Sequence, residues 1–174
     1  MTSAHVPRPL IGRRLLGLAL GASLGVLLAL FGATFARVGG NSMAPSLSDG
    51  DLVVLLRPPL DALLGRRDGY LVGDVLALQT PTGASVKRLV AVGPVTVAMA
   101  DGLLLIDGEP SVVGSQAGYE SHSSLEPTKV PAGELFVVGD NRRPLASNDS
   151  RNYGAVSPAD VRGRLVLNLG WPGE

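Results

Sequence analysis

The chain has no cysteine, two histidines and two lysines among its 174 residues. Each shortage removes a class of chemistry. Without cysteine there is no disulfide framework, no thiol nucleophile and no thiolate metal site. His5 stands in the N-terminal tail and His122 in the polar stretch YESHSSLEPT, neither with a partner at ligand spacing. That argues against a zinc site, and it leaves a serine–histidine–aspartate triad dependent on His122 alone. No metal and no cofactor are expected. Acidic residues are missing from the first 48 positions, which hold Arg8, Arg13, Arg14 and Arg37, while the remainder carries fifteen acids against eleven bases. With a formal net charge of zero, the chain gives no reason to expect a nucleic-acid partner, which would need a basic patch on the folded domain.

What is present begins with a long apolar run. From Leu15 to Ala36 the chain reads LLGLALGASLGVLLALFGATFA, twenty-two residues without a charge. As a helix it would be about 33 Å long, against a hydrocarbon core of about 30 Å. Glycines 17, 21, 25 and 32 would weaken a soluble helix but are tolerated in lipid. Three arginines precede the run and only Arg37 follows it, which predicts a cytoplasmic tail over 1–14, one transmembrane helix over 15–36 and an extracytoplasmic domain over 38–174. A secretory signal cleaved after GATFA is the alternative. Its apolar core would typically span about 7–15 residues, shorter than this run, so a retained single-pass anchor in the cell membrane is the expectation.

Beyond residue 38 short apolar runs alternate with Gly, Pro and Asp. Strands are expected at 51–57, 74–80, 85–93, 95–100, 103–107, 134–140 and 164–170, with Asp101-Gly102 closing a hairpin between VTVAMA and LLLID. This pattern predicts a mostly β fold, a compact antiparallel β-sheet or barrel-like domain behind the helix. The polar segment 114–130 reads as a loop.

Ser42 lies in VGGNSMAPSLSDGD. It reads either as a turn serine releasing the chain from lipid or as a nucleophile, and a serine nucleophile needs a base. Lys129, in LEPTKVP, would be solvated and cationic. Lys87 sits among the valines of ASVKRLVAV. Pointing outward it is an ordinary exposed strand residue; pointing inward it loses solvation, its pKa falls, and it becomes a base. Residues 137–156, VVGDNRRPLASNDSRNYGAV, gather Asp140, Asn141, Ser147, Asp149, Ser150 and Arg151. That cluster is either a surface loop or a network that orients a catalytic residue.

Together, SMAPSL (42–47), VKRLVAV (86–92) and GDNRRPLASNDSR followed by YGAV, in that order behind an apolar anchor, resemble the signature boxes of bacterial type I signal peptidases. The resemblance implies a Ser/Lys dyad protease with a mostly antiparallel β domain and a cleft beside the membrane. Ser42 falls on the nucleophile and on an oxyanion-binding N–H, and Lys87 on the general base. Met43 and Pro45 match positions shaping the nucleophile turn, and Arg88 follows the lysine as in the family. Ser147 matches the serine that bonds the lysine amine. Asp149 and Arg151 match a bracing pair, and Gly139, Asp140 and Asn141 an opening turn. Implied partners are secretory preproteins with small residues at the cleavage site, and the lipid bilayer. Lysine rather than histidine at 87 separates the chain from endoplasmic-reticulum and archaeal relatives.

Two departures stand out. Gly40 occupies a position where some members carry an oxyanion-binding serine, and the spacer RPLA (143–146) is longer than usual. A dedicated conjugation-type maturation peptidase, a non-catalytic membrane-tethered β domain and a repressor-type self-cleaving Ser/Lys protein are the rival readings. The last usually lacks an anchor and carries a DNA-binding domain.

Overall fold

The computed structural model describes residues 10–63, 69–113 and 124–170. His5, the whole of 114–123 with His122, and the last four residues lie outside them. The chain opens with helix α1, Leu10–Phe31. Gly32 then breaks the helix, and its carbonyl accepts the Arg57 N–H at 2.8 Å. Next comes strand β1, Ala33–Arg37, paired antiparallel with β2, Leu52–Leu56, from Ala33↔Leu56 to Arg37↔Leu52. The expected helix over 15–36 is therefore too long at its C-terminal end. Thr34 and Phe35 favour extended backbone, and β2 offers them a ladder. Only the stretch from Leu15 to Phe31 is both helical and uncharged, about 25 Å at 1.5 Å per residue. Among the described residues, no helix is long and apolar enough to cross a membrane. Leu15, Leu16, Leu18, Leu20, Leu24, Val26 and Leu27 on α1 are all more than half exposed.

A short helix α2, Pro58–Leu63, leads to β3, Val75–Thr80, and β4, Gly83–Val92. The chain then forms β5, Val95–Ala100, β6, Leu103–Ile106, β7, Glu109–Ser111, and β8, Leu125–Val130. It closes with β9, Leu135–Val138, helix α3, Ser150–Tyr153, and β10, Val161–Asn168. One antiparallel sheet has the order β1-β2-β10-β3-β4-β9 and the other β7-β6-β5-β8, in keeping with the mostly β expectation.

The β5–β6 hairpin turns at Asp101 and Gly102, with φ of 47° and 77°, the left-handed pair that a two-residue turn of this hand requires. At the β4–β5 junction a Cβ on Gly93 would lie 1.8 Å from the Pro131 carbonyl oxygen, so only glycine fits. The segment 114–130, read as a loop, contains β8. Its register with β5 runs from Val95↔Val130 to Met99↔Leu125. Glu126, Pro127 and Lys129 hide it from pattern reading, because such residues are compatible with an edge strand and not a central one.

The core falls into three clusters. β4 joins two of them, sending Val90 towards Phe136, Val97 and Leu104 and Leu89 towards Leu76, Leu78 and Val137. The third buries Val38, Met43, Leu47, Val53 and Leu55. It holds the loop carrying Ser42, because Met43 fills its centre at 1% exposure. Met43→Ala is expected to lower unfolding stability by about 2–5 kcal/mol, whereas Met43→Leu should cost less than about 1.5 kcal/mol. Urea titration monitored by circular dichroism checks both.

Candidate active site

The loop between β1 and β2 is closed by two backbone bonds, Val38 N–H to Asp51 O at 2.8 Å and Gly50 N–H to Val38 O at 2.9 Å. Inside it Gly40 adopts φ +78° and its N–H donates to Asp49 Oδ1 at 2.7 Å. The Ala44–Pro45 peptide is cis. Asn141 grips the loop from the end of β9, its N–H donating to Ser42 O at 3.0 Å and its amide to Asn41 O at 3.1 Å. Two consecutive carbonyls are thus fixed by one side chain and its own backbone.

Lys87 projects from β4 into this corner and is 3% exposed. Its Nζ lies 3.0 Å from Ser42 Oγ and donates to Val86 O, also at 3.0 Å. Burial pulls its pKa below the ordinary lysine value of 10.5; Asp149 opposes that shift and Arg151 adds to it. As an amine, Lys87 can accept the Ser42 hydroxyl proton; as an ammonium, it donates to the same oxygen.

The surrounding charges are paired. Asp149 is fully buried and caps α3; its carboxylate receives Arg151 Nε and Nη2, both at 2.8 Å, and the Gly139 N–H at 2.9 Å. Asp140 takes Arg88 Nε at 2.7 Å and Nη2 at 2.6 Å, while Arg88 Nη1 donates to Gly73 O. Ser46 Oγ accepts from the same guanidinium at 3.4 Å, which ties the loop after Ser42 to β4. A Cβ on Gly139 would sit 2.4 Å from Ser147 Oγ and 2.5 Å from Ser42 O. Any side chain there would push the Ser42 loop away.

The structure brings Ser42, Met43, Lys87, Gly139, Asn141 and the Arg88–Asp140 and Arg151–Asp149 pairs together around one corner of the fold. Ser147 is buried against Gly139, yet its Oγ has no hydrogen-bond partner among the described residues. The lysine-orienting bond expected of it is absent, and the Val86 carbonyl supplies that second contact instead. Residues 143–146 form a turn, with Ala146 N–H on Arg143 O and Leu145 at φ 62°, that delivers Ser147 onto Gly139. Gly40 offers no oxyanion donor, since Asp49 holds its N–H. Among the described residues nothing accepts the Ser42 N–H. Sequence reading missed Asp49 and Val86. Asp49 was detectable as the Asx-type residue of an S-D-G-D turn; the Val86 carbonyl leaves no side-chain signal.

Ser42 opens onto a cleft of about 430 Å³ whose walls include Ala36, Met43, Leu55, Ala77 and Val86, with Arg37 and Arg162 also at it. A depression of about 500 Å³ beside Ser147 and Arg151 is lined by polar residues together with Pro144 and Leu145, and Ser42 is not among its lining residues. Among the described residues no cluster of His, Asp and Glu could hold a metal ion.

Because the folded-state pKa of Lys87 is lowered, the unfolded chain binds more protons between that value and 10.5. Stability contributed by this group therefore rises with pH through the window and is lowest below it. Lys87→Met is expected to raise stability at the acid end and to flatten the dependence. Denaturation midpoints across a pH series measure this, and an unchanged slope in Lys87→Met would contradict it.

Residues 13–171 match the family model for signal peptidase, peptidase S26. Signal peptidase I of Leptolyngbya laminosa is 30% identical over 169 residues, spanning 92% of this chain and 79% of that one. Probable signal peptidase I-1 of Synechocystis sp. is 28% identical over 190 residues, spanning 97% and 88%. The crystal structure of a signal peptidase I from Enterococcus faecalis aligns at a TM-score of 0.43 with 31% identity, over 56% of this chain and 97% of that one. The family is generally membrane-associated. The chain belongs to the S26 family of signal peptidases, serine peptidases that remove signal peptides from secretory preproteins.

Proposed function

We propose that Ser42 and Lys87 are the catalytic dyad of this peptidase. The observation that carries the reading is the 3.0 Å contact between Ser42 Oγ and the amine of a lysine that is 3% exposed. Neutral Lys87 takes the hydroxyl proton as Ser42 Oγ attacks the carbonyl carbon of the scissile bond. The Ser42 N–H receives the oxyanion. One such donor is worth about 2.7–4 kcal/mol, and with Gly40 engaged by Asp49 it acts without that neighbour's help. Protonated Lys87 gives its proton to the leaving amine, which departs and leaves an ester on Ser42. Lys87 then takes a proton from water, whose oxygen attacks the ester, and the returning proton restores the serine hydroxyl.

Met43, Pro45, Gly139 and Asn141 hold the nucleophile in place, and the Arg88–Asp140 and Arg151–Asp149 pairs brace the two loops that meet at it. Ala36 and Ala77 leave room in the cleft, while Met43 and Leu55 form its wall; small apolar side chains of a preprotein fit such a site and large ones do not. The exposed leucines of α1 are best satisfied by lipid, with Arg13 and Arg14 on the cytoplasmic side and the β domain outside. A short apolar helix can be matched by local bilayer thinning. Ser42 then stands five residues beyond the end of β1, near where secreted chains emerge.

Processing of a preprotein by the purified full chain tests the dyad. Ser42→Ala and Lys87→Ala are each expected to lose about 10²–10⁴-fold or more in kcat/KM. Lys87→Arg should also be inactive because guanidinium stays charged. Wild-type activity should rise with pH along a limb whose midpoint lies below 10.5, the ordinary lysine value. Full processing by either alanine variant would sink the dyad, and a purely binding domain would fail to label with a serine-acylating probe.

A further inference from the structure

A peptide bond cut at Ser42 has two halves, and the apolar cleft accommodates one. In the proposed mechanism Lys87 gives its proton to the leaving amine, so the chain beyond the scissile bond departs on the side of Lys87. The loop that follows β9 stands there. Ser147 Oγ and Ser42 O both lie within 2.5 Å of the point where a Cβ on Gly139 would sit, which sets Ser147 against the Ser42 loop. Asp149 and Arg151 are near enough to Lys87 to act on its charge. The depression of about 500 Å³ opens on this same loop, and its walls include Pro144, Leu145, Ser147, Asn148, Arg151 and Asn152. Ser147 therefore borders both the Ser42 loop and the depression.

The chemistry of these walls is specific. Leu145 is fully exposed and holds φ 62°, a backbone region in which a leucine is uncommon. An apolar side chain wholly in water gains free energy when another apolar group covers it. Asn148 and Asn152 are exposed. The Asn148 amide donates to Thr82 Oγ1 at 3.3 Å, and an asparagine keeps a carbonyl acceptor besides its donors. Among the described lining residues only Arg151 is charged, and its guanidinium is held by Asp149 at 2.8 Å. The depression thus presents amide groups beside one apolar side chain, with its one cation already paired. A main chain bearing uncharged side chains matches that surface.

We infer that this depression is a leaving-group subsite that receives the residues just after the scissile bond, with Asn148 and Asn152 meeting the main chain and Leu145 packing over an uncharged side chain. The inference rests on the dyad, because Lys87 as proton donor sets the side from which the amine departs. Contacts of this kind lie away from the reacting carbonyl, and truncating the substrate part that makes them slows the reaction.

The test uses the detergent-solubilised full chain and C-terminally amidated peptides that share one cleavage site but end at successive positions beyond it. The expected result is a kcat/KM about tenfold higher for the long peptide than for the shortest, the equivalent of one or two net hydrogen bonds. Leu145→Ser, and Asn148→Ala combined with Asn152→Ala, should each bring this long-to-short ratio towards one. Each ratio compares an enzyme with itself, so partial misfolding does not move it. The chain has no cysteine, so Leu145→Cys placed in the Ser42→Ala variant adds a single thiol. Under a mild oxidant it should form a disulfide with a peptide carrying one cysteine in the first few downstream positions, and not with a peptide carrying it upstream. Rates independent of downstream length in the wild type would overturn the subsite. A wild-type ratio in both variants, or cross-linking that favours upstream positions, would do the same. Cleavage surviving in Ser42→Ala removes the dyad instead, whereas a wild type indifferent to downstream length removes only the subsite.

Discussion

A lysine amine taken out of water and set 3.0 Å from a serine oxygen is the constraint around which the rest of the domain is arranged. Burial disfavours the ammonium, and this is the first cause of the lowered pKa. The fold tolerates it because the residual polar demand is small: one carbonyl, that of Val86, and one hydroxyl, that of Ser42, meet the amine. The two fully ionic pairs nearby, Arg151–Asp149 and Arg88–Asp140, are neutral as units. Of these, Asp149 and Arg151 act on the amine in opposite directions, and burial outweighs both.

The second requirement is that the Ser42 loop should not drift from that amine. Its restraints come from distant parts of the chain. Met43 packs among Val38, Leu47, Val53 and Leu55, Asn141 takes the carbonyls of Asn41 and Ser42, and Arg88 reaches Ser46. The chain also approaches the loop closely at Gly139, where a single methyl would strike both Ser147 and the Ser42 carbonyl. Breaking the Asp149 carboxylate network would release this glycine, since Asp149 Oδ2 holds its N–H. A buried carboxylate stripped of its arginine typically costs about 3–5 kcal/mol, so stability and geometry are coupled at this point.

These relations account for what could be read from residue order alone. Apolar strands with clear alternation, such as β3 and β5, and the Asp101-Gly102 turn carry their structure locally. The boxes around Ser42, Lys87 and Asp149 were legible because the family resemblance rests on particular side chains in a fixed order. β1 was hidden inside an apolar run: lipid helix and sheet edge draw on the same residues, and the partner strand decided between them. β8 was hidden by its polar edge character. The place of Ser147 depends on how the 143–146 turn closes, and the service of the Val86 carbonyl depends on the path of β4. Neither is written in a side chain.

Gly40 illustrates how the same constraint reshapes a family pattern. A side chain there would have open space but would need φ +78°, a conformation that costs an ordinary L-residue. The bond from its N–H to Asp49 holds that conformation, and it removes the N–H from the oxyanion site. The loop thus gains rigidity through a contact that gives up a donor. In the proposed mechanism rigidity serves the attack step, in which Ser42 Oγ stays in contact with the Lys87 amine. The donor serves the oxyanion that follows. In this chain the backbone around Gly40 supplies the rigidity, and the Ser42 N–H, which nothing else among the described residues engages, is the donor that the proposed mechanism uses.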